Sequence, residues 1–267
     1  MKSFLTRLNF KICFALTLVL SLNSCQTKDS DDDRPNIIFI MVDDMGYSDL
    51  GYYGSGIETP NLDQLAEDGV IFSQFYNTGR CCPTRASLLT GLYSHQTGLG
   101  DMTADRGHPN YQGYLNDQCI TLAEVLQNEG YLTMMSGKWH LGNDTAYWPQ
   151  KRGFERFYGI PEGGGVYFHP FRKDRNVVLD DKKLQPDSTY YTTTAFNKHA
   201  VDFISEAAED KRPFFLYLAH IAPHFPLQAP EEMTQKYLGK FSHGFDALRQ
   251  KGYKPSDKRA YWKKIGR

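Results

Sequence analysis

Apolar and polar residues along the chain form blocks that predict strands followed by helices. Residues 36–42, Asn-Ile-Ile-Phe-Ile-Met-Val, form a nearly continuous apolar run, which is typical of a strand buried on both faces of a parallel sheet. Similar runs at 131–135 and 213–219 predict two further strands. A shorter run at 70–72 predicts the start of another strand.

Helical patterns lie between these runs. Thr59 and Pro60 predict a helix start, and Gly69 predicts its end, with Leu62 and Leu65 facing inward.

Two more helices follow the same logic. Residues 121–124, Thr-Leu-Ala-Glu, form a capping box that opens a helix, and Gly130 ends it. Another helix is predicted over 194–208, where apolar side chains recur at helical spacing. The segment 158–192 is Gly-rich and then charged, and we expect a surface excursion that lines a cleft.

Alternating strands and helices predict an α/β fold with a mostly parallel sheet and helices on both faces. Ligands bind such sheets at the carboxyl ends of the strands. Acidic and basic residues stand at those ends: Asp43, Asp44, Lys138, His140, His220 and His224.

The composition narrows the class of protein. The 267 residues are 40% hydrophobic, which suits one large α/β domain or two modest ones. Thirty basic and 31 acidic residues give a formal net charge of −1, so no overall field favours nucleic acid and no such partner is predicted.

The first 25 residues predict a secretory signal that is not part of the fold. Basic residues precede a short apolar stretch at 12–22, and residues 22–25, Leu-Asn-Ser-Cys, resemble a lipobox. We expect cleavage and acylation at Cys25, with ordinary signal-peptidase cleavage as the alternative. The acidic segment 26–33 predicts a tether, and 34–267 would form the domain. The protein is therefore expected to be exported, and lipid-anchored to the bacterial outer membrane or cell surface, or otherwise periplasmic.

Cysteine usage leaves thiols for another purpose. Of the five cysteines, Cys13 leaves with the signal and Cys25 is the expected lipid site. Cys81, Cys82 and Cys119 remain, and an odd number excludes a complete disulfide framework. A bridge between Cys82 and Cys119 stays open.

Residues 79–91, Gly-Arg-Cys-Cys-Pro-Thr-Arg-Ala-Ser-Leu-Leu-Thr-Gly, form the most informative segment. Cys81 lies at the start of a predicted helix, where free N–H groups and the positive dipole end favour an anion. Arg85, one turn along, adds a fixed cation. Such surroundings lower a thiol pKa or hold an anion, and the alternatives are an ordinary buried cysteine or a generic reactive thiol.

Asp43 and Asp44 follow the first predicted strand directly. Adjacent acids at a strand end suit a hard divalent cation, which takes oxygen ligands. A helix cap or a solvated turn is the alternative for this pair.

The pattern Cys81-x-Pro83-x-Arg85, followed by Leu-Leu-Thr-Gly at 88–91, resembles the signature of type I sulfatases. In that family the cysteine is oxidised to Cα-formylglycine, whose hydrate attacks sulfur. The spacing places Cys81, and not Cys82, at this position. The resemblance implies an alkaline-phosphatase-like fold, a formylglycine-generating or radical maturation enzyme as partner, and a sulfated small molecule or glycan as substrate.

Further blocks, including those at 152–154 and 244–249, extend the resemblance over about 34–249, and three of them contain candidate site residues. The opening strand implies that Asp43, Asp44 and the converted Cys81 bind calcium or magnesium. Residues 136–142, Ser-Gly-Lys-Trp-His-Leu-Gly, imply that Lys138 contacts the formylglycine and sulfate and that His140 hydrogen-bonds the hydrate. Residues 222–226, Ala-Pro-His-Phe-Pro, imply that His224 contacts the sulfate ester and can protonate the leaving oxygen.

The resemblance is incomplete. The family has a later Asp-Asn metal pair and a later lysine, and neither is found; the pairs at 116–117 and 143–144 run Asn-Asp. We therefore expect a C-terminally truncated domain that is poorly active by itself. Two alternatives remain: a non-catalytic surface lipoprotein of sulfatase descent, and a phosphoryl-transfer relative on the same fold. Cysteine argues against the second, because those relatives use Thr or Ser as nucleophile.

Overall fold

The structure is a computed structural model that describes residues 33–72, 74–164, 167–168 and 173–252. The predicted signal segment 1–25 lies outside the described residues. None of the described helices is both long enough and apolar enough to cross a membrane.

A six-stranded mixed sheet organises the described chain, in the order β1-β6-β2-β3-β4-β5. The strands are β1 (Ile37–Asp43), β2 (Leu132–Lys138), β3 (Arg156–Ile160), β4 (Val177–Leu179), β5 (Lys182–Leu184) and β6 (Phe214–Pro223). β1, β6, β2 and β3 pair in parallel, whereas β4 and β5 are antiparallel to their neighbours. The predicted mostly parallel sheet is confirmed.

Six α-helices accompany the sheet in the described part of the chain. They are α1 (Pro60–Asp68), α2 (Cys81–Thr90), α3 (Leu122–Asn128), α4 (Thr192–Asp210), α5 (Glu231–Tyr237) and α6 (Gly244–Gly252). The predicted capping box opens α3, because Glu124 N donates to Thr121 Oγ1 at 3.1 Å and Thr121 N donates to Glu124 Oε2 at 2.6 Å. Both reciprocal bonds satisfy N–H groups that a helix start leaves unpaired.

Two apolar cores lie on opposite faces of the sheet. Alternate residues of β6 point to opposite faces, as in any strand, so Tyr217 joins the core of α2 and α3 and Leu216 joins the core of α4. Phe196 and Phe203 of α4 are buried in the second core. Each such side chain contributes about 1.5–3 kcal/mol on burial. The prediction of helices on both faces is confirmed.

Two expectations for the chain before α2 are wrong. Residues 70–72 lie outside the strands, and Val70 and Phe72 are 83% and 69% exposed. Leu62 and Leu65 of α1 are 37% and 63% exposed. The apolar spacing was correct for a helix, but burial needs a facing surface, and the described residues provide none at these side chains.

The expectation of a surface excursion over 158–192 is wrong in part. β3 extends through Ile160 in the interior of the sheet, and β4 and β5 form a hairpin at its edge. Asp180 N donates to Phe157 O, and Asp180 Oδ1 accepts from Phe157 N at 3.0 Å, which fastens the hairpin to β3.

Gly137 of β2 lets the sheet close tightly beside the strand ends. Its φ is +131°, and a Cβ there would stand 2.0 Å from Ala219 O of β6. We expect Gly137→Ala to lower the free energy of unfolding by about 2–3 kcal/mol, because the strands must separate. Urea denaturation measures this loss. Gly54→Ala is the control, since Gly54 also has positive φ but has nothing within 4 Å of the added Cβ. Equal losses in both variants would show that the close approach of Gly137 to Ala219 does not contribute to stability.

Candidate active site

Cys81 is the first residue of α2, as predicted. Its N-cap, Arg80, has an extended backbone with φ −141° and ψ 154°, and no side chain caps the helix. Cys81 is partly buried and Cys82 is fully buried. The thiol of Cys81 therefore lies at a helix N-terminus that favours negative charge.

A thiol and imidazole cluster surrounds this helix start. The ligand atoms of Cys81, Cys82 and His140 all lie within 4.8 Å of one another. A hydrogen bond with Cys82 is the largest cause that lowers the pKa of Cys81, and His140 and the charge of Lys138 lower it further against burial. The same hydrogen bond, together with burial, raises the pKa of Cys82. Cys81 is thus the thiol that ionises first.

His140 follows β2 in a left-handed backbone conformation, with φ 62°. Its N–H donates to Pro161 O at 2.9 Å, and Gly163 leaves room for the ring, because a Cβ there would stand 2.8 Å from Nε2. Burial is the main cause that lowers the pKa of His140, while the hydrogen bond with Cys81 opposes it. A neutral imidazole beside Cys81 can accept a proton.

A buried carboxylate holds two buried cations behind the thiol. Lys138 Nζ donates to Asp43 Oδ2 at 2.5 Å, and Arg85 NH2 lies 3.5 Å from the same oxygen. Asp43 is 6% exposed, Lys138 1% and Arg85 0%. Two cations against one carboxylate leave a net positive charge away from water, and such a place favours an anionic ligand.

Arg85 is fixed from several sides. Its NH1 donates to Lys138 O at 2.7 Å and to Tyr217 Oη at 3.3 Å. Its Nε and NH2 are buried without a hydrogen-bond partner among the described residues. Buried N–H groups of a guanidinium need an acceptor, so these atoms also favour an anion.

Asp44 and His224 lie at the exposed side of the site. Asp44 has φ 61°, and its side chain is 63% exposed. His224 Nε2 stands 3.7 Å from Asp44 Oδ2, and Tyr167 Oη donates to His224 O at 2.6 Å, which holds the loop after β6. The predicted gathering of strand-end residues is observed for Asp43, Asp44, Lys138, His140 and His224.

The donors fit a hard divalent cation in kind. Asp43 and Asp44 offer carboxylate oxygens, and both ion pairs of Asp43 use Oδ2. Calcium takes six to eight oxygen ligands, so two carboxylates supply only part of the shell. Within the described ranges, the one group of three or more His, Cys, Asp or Glu ligands is Cys81, Cys82 and His140.

Neither Cys119 nor His220 has a described hydrogen bond to Cys81, Cys82 or His140. Cys82 and Cys119 are both free thiols, so the disulfide bridge that the sequence left possible between them is not formed. Cys119 lies beside Arg152 instead, whose NH2 donates to Cys119 O at 2.7 Å. His220 lies inside β6, where burial lowers its pKa.

Tyr217 and Met102 touch the site but were not predicted. Tyr217 is fully buried in β6, and its hydroxyl lies between Arg85 and Met41 Sδ, the latter at 3.1 Å. A tyrosine inside an apolar strand run is a usable signal, because its hydroxyl needs a partner. Met102 Sδ stands 3.8 Å from Cys81 Sγ, and no motif marks the loop that carries it.

The lowered pKa of Cys81 can be tested by alkylation of protein in which Cys81 is still a thiol. We expect the alkylation rate of Cys81 by iodoacetamide to be nearly constant from about pH 6 to 9, whereas an ordinary thiol of pKa about 8.5 slows roughly tenfold per unit below that pH. Cys82→Ala removes the main hydrogen bond and should slow alkylation at pH 6 by about tenfold.

Peptide mapping by mass spectrometry follows the modification of Cys81. Cys119→Ala is the matched control, because Cys119 is a buried free thiol whose Sγ contacts Asn116 O instead. A Cys81 rate that rises tenfold per pH unit would contradict the lowered pKa.

An ionisable thiol backed by buried cations at the carboxyl ends of parallel strands defines an anion-binding type of site. The chain matches the family model described as Sulfatase over residues 35–266. It therefore belongs to the sulfatase family, and its alkaline-phosphatase-like fold agrees with that of sulfatase structures.

Two curated relatives are similar to the chain. A protein described as an uncharacterized sulfatase of Schizosaccharomyces pombe is 39% identical over 246 residues, which cover 84% of this chain and 44% of that protein. An arylsulfatase of Klebsiella aerogenes is 35% identical over 226 residues, which cover 81% and 48%. The chain thus spans less than half the length of these relatives.

Two solved structures are also similar. Ps i-CgsB in complex with k-i-k-neocarrahexaose has a TM-score of 0.70 and 35% identity, covering 77% of this chain and 49% of that one. A structure in complex with its substrate D-glucosamine-2-N,6-O-disulfate has a TM-score of 0.62 and 29% identity, covering 79% and 38%.

Proposed function

We propose that this chain carries the nucleophile side of a sulfatase active site that hydrolyses sulfate esters of carbohydrates or aryl alcohols. The observation that supports this most is the placement of Cys81 at a helix N-terminus beside His140 and in front of the buried cations Lys138 and Arg85. Sulfate esters are anionic, and the reaction builds further negative charge on the sulfuryl oxygens. A site with fixed internal cations stabilises that charge without reorganising.

Maturation of Cys81 is the first part of the proposal. A maturation enzyme would oxidise its thiol to Cα-formylglycine, whose hydrate supplies the oxygen nucleophile. Cys81 suits this modification better than Cys82, because it is partly exposed while Cys82 is fully buried.

Arg85 and Lys138 have electrostatic roles in the proposed mechanism. Arg85 favours the deprotonated nucleophile, since a nearby cation stabilises the charged form. Lys138, held by Asp43 at 2.5 Å, offsets charge on the sulfuryl oxygens. Both side chains are fully buried, so water does not weaken their field.

Two histidines, one buried and one partly exposed, would move protons in the proposed mechanism. His224 stands at the exposed side next to Asp44 and would protonate the leaving alcohol oxygen. Once the hydrate oxygen has bonded to sulfur and the alcohol has left, His140, whose pKa is lowered by burial, would accept a proton from the remaining hydroxyl. The aldehyde then re-forms as the C–O bond to sulfate breaks. Tyr167 and Gly163 position these two residues.

Asp43 and Asp44 are the residues that would hold calcium or magnesium together with the converted Cys81. A bound divalent cation would help to keep the nucleophile ionised. The remaining oxygen ligands would come from water or from groups outside the described chain.

The last two parts of the proposal are the substrate class and the cellular location. The two structures named above contain carbohydrate ligands, one of them a disulfated glucosamine, and this supports a sulfated glycan. The signal-like segment that ends at Cys25 supports export and lipid anchoring to the outer membrane or cell surface.

Mass spectrometry of the peptide that contains Cys81 tests the proposal, with the chain produced in a host that has a maturation enzyme. We expect the thiol mass to be replaced by the lower aldehyde mass at Cys81, while Cys82 and Cys119 remain thiols. A thiol retained at Cys81 in such a host would instead favour a non-catalytic protein of sulfatase descent.

A further inference from the structure

Two exposed arginines share one carboxylate close to the nucleophile. Arg80 NH1 donates to Asp101 Oδ1, and Arg106 NH2 donates to Asp101 Oδ2. The arginine side chains are 59% and 62% exposed, while that of Asp101 is 13% exposed. These three groups together carry a charge of about +1, which the neighbouring exposed Asp105 reduces, and the outer parts of both guanidinium groups face solvent.

Both chain segments that carry this arginine pair reach Cys81. Arg80 directly precedes Cys81 at the start of α2. Asp101 is followed by Met102, whose Sδ stands 3.8 Å from Cys81 Sγ. The loop that carries Asp101 and Arg106 therefore contacts Cys81 through Met102, and both guanidinium groups are bonded to that loop at Asp101.

The loop is held in place by its own backbone. Gly100 N donates to Asn110 O at 2.8 Å, and Arg106 N donates to Tyr111 O at 3.0 Å. Tyr111 also forms an isolated bridge with Leu99 and packs its ring against His95, with ring centroids 5.4 Å apart. A loop fixed in this way presents its charges without a large ordering cost on binding.

The bonds to Asp101 hold the loop but do not occupy either arginine fully. The side chain of Asp101 is 13% exposed, whereas those of Arg80 and Arg106 are 59% and 62% exposed. A guanidinium has five N–H donors in a planar fork that matches sulfate and carboxylate oxygens. Each guanidinium donates to Asp101 through only one of its nitrogens. The proposed mechanism uses neither arginine, because its cations are Arg85 and Lys138.

We propose that Arg80 and Arg106 form a subsite for a second anionic group, a sulfate or a carboxylate, on the substrate next to the sulfate ester that is cleaved. This inference rests on the proposed function and narrows the substrate to carbohydrates with more than one anionic group.

Binding to the Cys81→Ala chain tests the subsite, because this variant cannot turn the substrate over. Isothermal titration calorimetry compares a disulfated disaccharide, its monosulfated counterpart and a disaccharide with one sulfate and one uronate. We expect Arg106→Gln, and separately Arg80→Gln, to reduce the preference for the disulfated over the monosulfated ligand by about fivefold. The uronate ligand shows whether the second group is recognised as sulfate, as carboxylate or as either.

Arg212→Gln is the matched control. Arg212 also contacts two carboxylates, Asp210 and Glu155, but it precedes β6 at the amino end of the sheet, away from the site. Its replacement should leave the preference unchanged. An unchanged preference in Arg106→Gln, or binding of no ligand by the parent, would overturn the subsite. If Arg80→Gln unfolds α2, Arg106→Gln decides alone, since Arg106 lies outside the helices.

The subsite and the proposed function can fail separately. A chain that is converted at Cys81 and binds the disulfated ligand, but hydrolyses no sulfate ester, would refute the function and keep the subsite. A chain that hydrolyses sulfate esters with equal preference for singly and doubly charged substrates in every variant would do the reverse.

Discussion

Replacing Cys81 with alanine is expected to reduce whatever sulfate ester hydrolysis the parent chain shows to the uncatalysed background. Alanine has no sulfur that a maturation enzyme can remove and no group that can become a nucleophile. Arg85, Lys138 and the two histidines would then surround an empty position. Initial rates with an aryl sulfate measure the loss, with parent and variant matured in the same host.

The fold of this variant should be retained, because the side chain is only partly buried at the first residue of α2. Cys119→Ala is the matched control for the loss of a thiol. Its side chain is buried and free, and its contacts are with Asn116 and Arg152. Turnover that survives in Cys81→Ala, or is lost equally in Cys119→Ala, would remove Cys81 from the mechanism.

Replacing Asp43 with asparagine is expected to lower the free energy of unfolding by about 3–5 kcal/mol, the usual cost of removing one partner of a buried ion pair. Asparagine is nearly the same size, so packing changes little. The cost arises because Lys138 and Arg85 remain buried without a counter-charge. Chemical denaturation, followed by circular dichroism, measures it.

Asp44→Asn provides the neighbouring control. The side chain of Asp44 is 63% exposed and its contact with His224 is 3.7 Å long, so its stability effect should stay within about 0.5 kcal/mol. Combining Asp43→Asn with Lys138→Met removes both members of the Lys138–Asp43 pair and leaves only Arg85 without its counter-charge, so part of the stability should return. If the two aspartate variants lose the same stability, the buried ion pair does not hold the strand ends together.

The sequence was sufficient for strands whose apolar runs are buried on both faces. β1, β2 and β6 were predicted in this way, and β6 extends further than its run because its end remains in the sheet. β3 was missed because Arg156 begins it and Gly159 interrupts it. Arg156 pairs with Asp180 and stands 4.9 Å over the Phe203 ring, contacts between distant segments that no local pattern contains.

The site could be predicted where chemistry coincides with a strand end. Asp43, Lys138 and His224 were found because the carboxyl ends of parallel strands meet at one edge. The contact of Met102 with Cys81 depends on a loop without any periodic pattern. Burial of Leu65 was wrongly predicted because amphipathic spacing identifies a helix face but not what covers it.

Because Arg85 is fully buried while Arg80 and Arg106 are exposed, ionic strength should affect these arginines differently. Mobile ions cannot approach a guanidinium that water does not reach, so its attraction for an anion persists at high salt. Arg80 and Arg106 stand in the electrolyte, where the Debye length is about 8 Å at 0.15 M. In concentrated salt, Arg85 would still favour the deprotonated nucleophile, while Arg80 and Arg106 would lose their preference for a second anionic group. At high salt the proposed enzyme would therefore accept a broader range of substrates, while its nucleophile would stay ionised.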